Sequence, residues 1–236
     1  MVRRPLWIVT IAISLLVAVA MAPASQAAAK DGNPYNDPNL VSMFDGKTLD
    51  GWTAQASGQW SAKNGVIHGN GTSRGWLYYN KAQVGTFRWI FNVRQVKGNH
   101  APTVLIWGTT NPIRDALSAI QFQPPNGGHW DYRPGKNNGG SGLFTQVPHT
   151  KLDIHQWSQC ELIGNMATGI AKMACGQLTG SATTTCKAVE VLDFKDATAG
   201  KTGPIAWQIH NAGLFDEYKD ITIEINPKDD NLITVS

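Results

Sequence analysis

The chain has 236 residues, 42% hydrophobic and 16% charged, with 20 Lys and Arg against 17 Asp and Glu. That size suits a single domain with a real core rather than a multidomain assembly. The basic residues form no cluster that could release counterions from phosphates, so nucleic acid is not an expected partner.

Residues 1–28 read as a cleaved signal peptide. Arg3 and Arg4 form a basic start, residues 7–22 are mainly apolar, and Ser25-Gln26-Ala27 places small residues at a leader-peptidase site. The apolar run is about 16 residues, short of the ~20 needed to cross a bilayer. A secreted or periplasmic protein with no stable membrane span after cleavage is expected. Losing Arg3 and Arg4 brings the net charge from +3 to near +1. Residues 29–38 are polar, carry Gly, Pro and Asn, and read as a linker. Residues 39–228 read as the folded domain and residues 229–236 as a tail.

From residue 40 the pattern is all-β, with short alternating stretches separated by Gly, Asn and Pro. Phe87, Trp89, Phe91 and Val93 alternate with Arg88, Ile90, Asn92 and Arg94, which predicts a strand with one strongly apolar face. Residues 104–107 are apolar throughout and predict a central strand buried on both faces. In residues 118–123, Ile120 and Phe122 share one face while Ala119, Gln121 and Gln123 share the other. Residues 124–148 show little alternation and read as a long functional loop carrying His129, Trp130, Asp131 and Tyr132. In residues 203–210, Ile205, Trp207 and Ile209 oppose Ala206, Gln208 and His210. Ile221, Ile223 and Ile225 mark the closing strand. Many short strands with frequent turns imply an all-β sandwich or jelly roll of two antiparallel sheets. Trp52, Trp60, Trp89, Trp157 and Trp207 fall in strand-like contexts and are expected in the core.

Three cysteines in an exported chain imply one disulfide and one free thiol. Cys175 and Cys186 flank a plausible turn at residues 178–181 and are the favoured pair. Cys160 with Cys175 across a hairpin is the rival.

The run Asn39-Leu-Val-Ser-Met-Phe-Asp-Gly-Lys-Thr-Leu-Asp-Gly-Trp52 resembles the opening motif of the 3-keto-disaccharide hydrolase domain family, whose fold is a concanavalin-like jelly roll. Further segments are similar in the same order: Trp60-Ser-Ala-Lys-Asn-Gly-Val-Ile-His-Gly69, Gly75-Trp-Leu-Tyr-Tyr-Asn-Lys81, Ile120-Gln-Phe-Gln123, and Gly142-Leu-Phe144 with Val147-Pro148. His155-Gln-Trp-Ser-Gln-Cys-Glu-Leu162, Gly203-Pro-Ile-Ala-Trp-Gln-Ile-His210 and Tyr218-Lys-Asp-Ile-Thr-Ile-Glu-Ile225 complete the series. The resemblance spans about residues 40–226. It implies an enzyme that cleaves the glycosidic bond of 3-keto-glycosides, with a carbohydrate as substrate and no cofactor. The family's usual Glu is here Ala119, its usual carboxylate after that strand is Gln123, and its Asn-Ser-Gly-Val stretch is here Asn99-His-Ala-Pro-Thr-Val104.

The amide-bearing faces of residues 118–123 and 203–210 suit a sugar-binding concavity, because Gln and His both donate and accept to hydroxyls. His210 is the candidate acid/base group, since imidazole titrates near neutrality, and Asp131 is the one loop carboxylate placed beside aromatics. Gln121, Gln123, Gln208 and Asn99 are candidate substrate contacts, with Trp130 and Tyr132 as a stacking platform. No strand carries the paired carboxylates of ordinary glycosidases. Elimination from a 3-keto sugar needs a base and carbonyl polarisation instead. The six histidines show no paired spacing for a metal, although His100, His129 and His210 could converge in space. The alternatives are a non-catalytic carbohydrate-binding module of the same fold and an envelope scaffold protein.

Overall fold

The computed structural model describes residues 35–56, 58–137, 144–145, 151–179 and 188–235. The signal peptide, most of the linker, Cys186, and the Gly142-Leu143 and Val147-Pro148 positions lie outside the described residues. In chain order the strands are β1 (Val41–Ser42), β2 (Trp52–Gln55), β3 (Trp60–Lys63), β4 (Val66–Asn70), β5 (Gly75–Tyr79), β6 (Phe87–Lys97), β7 (Thr103–Ile106) and β8 (Ile120–Phe122). They continue as β9 (His129–Asp131), β10 (Phe144–Thr145), β11 (Ser158–Asn165), β12 (Ile170–Gln177), β13 (Val189–Lys195), β14 (Ala206–Ile209) and β15 (Phe215–Ile225). Two antiparallel sheets form. The nine-stranded sheet runs β10-β13-β12-β11-β6-β15-β4-β3, with β1 also paired to β15, and the six-stranded sheet runs β2-β5-β14-β7-β8-β9. This is the all-β sandwich that the alternation predicted.

Local chemistry sets the turns. Asn64 and Gly65 both hold positive φ (53° and 78°) between paired Lys63 and Val66. That is the two-residue hairpin connection whose twist matches the flanking strands.

The core lies between the sheets and is built on aromatics. Trp207 of the small sheet stacks on Tyr218 of the large one, centroids 4.2 Å apart, and meets Trp89 at 4.2 Å and Phe91 at 4.9 Å. Trp52 and Trp60 are buried in the same cluster, as expected. Trp157 is not. It precedes β11 rather than lying within it, and its half-buried ring sits between the Arg94 guanidinium and the Lys219 ammonium, each 4.7 Å from the centroid.

The apolar face of β6 packs inward as predicted, yet its other face is also buried, including Arg88, Ile90 and Asn92. Arg88 pairs there with Glu161 at 2.9 Å and with Glu224. The C-terminal stretch covers this cluster: Thr234 and Ile233 donate backbone N–H to the Glu161 carboxylate, and Arg88 donates to the Asn231 carbonyl at 2.9 Å. Tyr35 donates its hydroxyl to Gln159 at 2.7 Å. The described parts of the expected linker and tail are therefore packed against the large sheet, because its buried charges need these donors and this cover.

The favoured pairing of Cys175 with Cys186 is corrected. Cys160 and Cys175 face one another in the β11–β12 register with Cα atoms 4.2 Å apart, and they form the disulfide. Directly opposed residues of an antiparallel pair bring their Cβ atoms together. The closeness arises from strand pairing rather than from the turn at residues 178–181.

Candidate functional site: the outer face of the six-stranded sheet

β14, β7 and β8 are adjacent in the small sheet. Val104, Ile106, Ile120, Phe122, Trp207 and Ile209 fill the core, so alternation puts Thr103, Leu105, Ala206, Gln208 and Gln121 on the outer face. The register aligns two rows across it. One runs Trp76–Gln208–Thr103, and the next runs Tyr78–Ala206–Leu105–Gln121–Trp130. The predicted facing of Gln121 and Gln208 is what the fold shows.

Both glutamines are deeply buried, Gln121 at 2% and Gln208 at 1% exposure. Gln121 Oε1, both amide atoms of Gln208 and the Trp76 indole nitrogen have no hydrogen-bond partner among the described residues. Buried polar groups in native proteins are nearly always bonded, and an orphan costs free energy. On this face the free donors and acceptors can bond a polar group, whereas orphans such as Trp89 Nε1 and Thr222 Oγ1 lie elsewhere in the fold.

At one end of this face the His100 and His210 rings stack, centroids 4.0 Å apart and 13° from parallel. Gln123 Nε2 lies 3.5 Å from His100 Nε2, and His210 Nδ1 contacts Asn211 Oδ1 at 3.1 Å. Burial, followed by the neighbouring His210, pulls the His100 pKa below the ordinary imidazole value of 6.5. A neutral imidazole therefore sits beside His210 at neutral pH. Asn99 is exposed in the turn after β6, one residue before His100.

Arg74 reaches over the sheet. Its Nε and Nη2 donate to the Asp115 carboxylate at 2.7 and 3.3 Å, and its Nη1 donates to the His210 carbonyl at 3.3 Å. Its guanidinium carbon lies 5.2 Å from the Tyr132 ring centroid. Tyr132 is 6.1 Å from Trp130, which is 38% exposed. Both predicted platform aromatics thus border the face, though not from a free loop: His129–Asp131 forms β9, paired with β8. Three residues are too few to display alternation.

Asp131 does not join the site. It alternates with Trp130 and so faces away from Gln121, is buried, and bonds Arg133 at 2.7 and 3.0 Å. Arg133 also holds Asp196, whose pKa of about 2 reflects Thr198 and Arg133 overcoming its burial. Asp131 is a member of a structural ion network. His129 likewise turns inward, its ring 5.1 Å from Phe194 and 6.2 Å from Phe122, so the three histidines do not converge. Among the described residues no group of three or more His, Cys, Asp or Glu side chains could hold a metal. Sequence reasoning missed Arg74, Trp76 and Tyr78, although their i, i+2, i+4 spacing puts Trp76 and Tyr78 on one face of β5 and Arg74, just before it, in line with them.

Two sheets with a recessed polar and aromatic face define a jelly-roll domain of the class found in carbohydrate-active and carbohydrate-binding proteins. Among solved structures the chain is similar to a candidate glycosyl hydrolase from Parabacteroides distasonis (TM-score 0.56, 13% identity, covering 80% of this chain and 94% of that one). It is similar also to the carbohydrate-binding module CBM66 from Bacillus subtilis (0.54, 12%, 74% and 95%). A third is a Bacillus subtilis protein with a galectin-like fold (0.52, 10%, 75% and 90%). A search of curated proteins finds no match. The family profile of the 3-keto-alpha-glucoside-1,2-lyase-like domain matches residues 39–224, and the chain belongs to that family.

Proposed function

We propose that this protein is an exported enzyme that cleaves the glycosidic bond of 3-keto-glycosides by elimination and hydration, at the outer face of the six-stranded sheet. Residues 39–228 are its catalytic domain, and residues 1–28 its export signal. The observation that carries the reading is the set of unpartnered buried amide atoms on one sheet face, Gln121 Oε1 and both of Gln208, near the stacked His100 and His210.

The chemistry follows from the ketone. A C3 carbonyl acidifies the C2 proton, and an imidazole, with His210 the first candidate, accepts it. The electron pair forms a C1–C2 double bond as the C1–O bond breaks, and the leaving oxygen takes a proton. Water then adds across the double bond, giving a free 3-keto sugar. Gln121 and Gln208 bond the sugar oxygens, while Trp76, Tyr78 and Tyr132 supply apolar ring surface. No paired carboxylates are required.

A binding module of the same fold is the second reading, favoured by Ala119 and Gln123 standing where the family carries carboxylates. A chromogenic 3-keto-glucoside and its unoxidised parent separate the two. Release from the keto form alone, lost in His210→Ala, is the expected result. No release from a folded protein that still binds sugar would establish the binding module.

A further inference from the structure

The outer face is not open. Ala116 and Leu117 pack on Leu105, Ala119 and Ala206, together with Trp76, Tyr78 and Tyr132. These two residues belong to a strap, residues 107–119, that leaves the end of β7 and returns to the start of β8. The strap is strained at both ends. Trp107 has φ 55°, and Ala116, Leu117 and Ser118 follow one another at 44°, 55° and 50°. Left-handed non-glycine residues normally occur singly, and runs of them persist only where surroundings impose them. The middle of the strap, residues 111–115, is exposed.

The orphaned amides lie on the same face: Gln121 pairs across from Leu105, and Gln208 lies two residues from Ala206 on β14. The strap leaves Gln121 Oε1 and both Gln208 amide atoms without a hydrogen bond among the described residues, so closure keeps a destabilising contact in place. Backbone strain acts in the same direction. Two contributions oppose opening: the burial of Ala116 and Leu117, both 0% exposed, and one guanidinium, since Arg74 binds Asp115 on the strap, Tyr132 beyond β9 and the His210 carbonyl at the end of β14. Arg74 precedes β5, four strands from β9 in the sheet order. It therefore joins the strap to both margins of the face.

We propose that residues 107–119 are a gate over the sugar-binding face and that Arg74 is its latch. The proposal rests on the assignment of that face to a sugar. Opening relieves the left-handed run and presents the Gln121 and Gln208 amides to sugar hydroxyls, which satisfy them. The gate is a bistable element, with strain and orphaned amides favouring the open form, and the latch and the packing of Ala116 and Leu117 favouring the closed one. The Arg74–Asp115 pair is partly solvent-exposed and weakens in salt, so opening increases with ionic strength.

The test uses thiol labelling of Gln121→Cys in a Cys186→Ser background, alongside hydrogen exchange of the Thr109, Leu117 and Ala119 amides, which bond within the strap at 2.7, 2.9 and 3.0 Å. Removing the charged latch in Arg74→Ala should accelerate both by about tenfold while leaving the Leu105 and Trp207 amides unchanged. Ala116→Gly should slow both, because glycine holds positive φ without strain. Unchanged labelling in Arg74→Ala, or exchange rising equally across the small sheet, would overturn the gate. Methyl 3-keto-α-glucoside is then added to the unlabelled parent and to Arg74→Ala, both with Gln121 in place. Faster binding to Arg74→Ala is expected. Binding to neither, with the exchange pattern intact, would remove the sugar assignment and leave the gate standing.

Discussion

Asp216 lies inside the sandwich at 1% exposure, on β15 two residues before Tyr218. It accepts from the Gln95 amide at 3.0 Å, and Gln95 also donates to the His100 carbonyl. Burial raises its pKa to about 7, outweighing the help of Gln95 and the neighbouring Tyr218 phenol. A carboxyl whose pKa moves from 3.8 to about 7 is about 4 kcal/mol harder to ionise than in the unfolded chain. The folded state then holds a proton that the unfolded state has lost across that window. Its contribution to stability is fully present below about pH 4 and disappears as pH rises through 7. Asp216→Asn keeps the size and the Gln95 contact and has no proton to lose. Urea denaturation at pH 4, 5, 6, 7 and 8 should show the variant close to the parent at pH 4 and more stable by up to about 4 kcal/mol at pH 8. His100 and His129 carry lowered pKa values and weaken the fold as pH falls below 6.5, but they do so in both proteins, and the difference isolates Asp216. Parallel curves for the two proteins would show that Asp216 is ionised throughout and that its burial has been offset.

Removing the Cys160–Cys175 bridge, which closes a separation of 15 residues, should cost about 3 kcal/mol in denaturant midpoint measurements on Cys160→Ala/Cys175→Ala. Arg88→Ala strands Glu161 and Glu224 in the buried face and should cost about 3–5 kcal/mol, whereas Arg88→Met together with neutral partners should lose far less. Trp207→Ala opens the aromatic stack between the sheets and should cost about 3–5 kcal/mol by the same assay. His210→Ala removes a neighbour that lowers the His100 pKa, so an NMR titration of His100 should move upward in that variant; no movement would mean the rings do not interact in solution.

Much of the site was legible because its pattern is local. Gln208 and Trp207 are neighbours on one strand, and a period of two separates core from outer face without knowledge of any partner strand. The same rule placed Gln121 opposite Ile120 and Phe122. It was silent on β9, where three residues give no period, and so Asp131 was grouped with Trp130 although the pleat turns them to opposite faces. The two histidines come from the turn after β6 and the end of β14, 110 positions apart in number, and no spacing encodes that meeting.

Short-range alternation and ordered motifs are enough to specify the all-β class, the family, the inward aromatics of β6 and β14 and the outward glutamines. That Cys160 faces Cys175, that Arg74 spans the face to Tyr132, that residues 229–235 cover Arg88 and that residues 107–119 fold back over the face emerges from the folded arrangement alone. Those outcomes depend on which strands become neighbours, and strand order is set by packing between distant segments rather than by any local period.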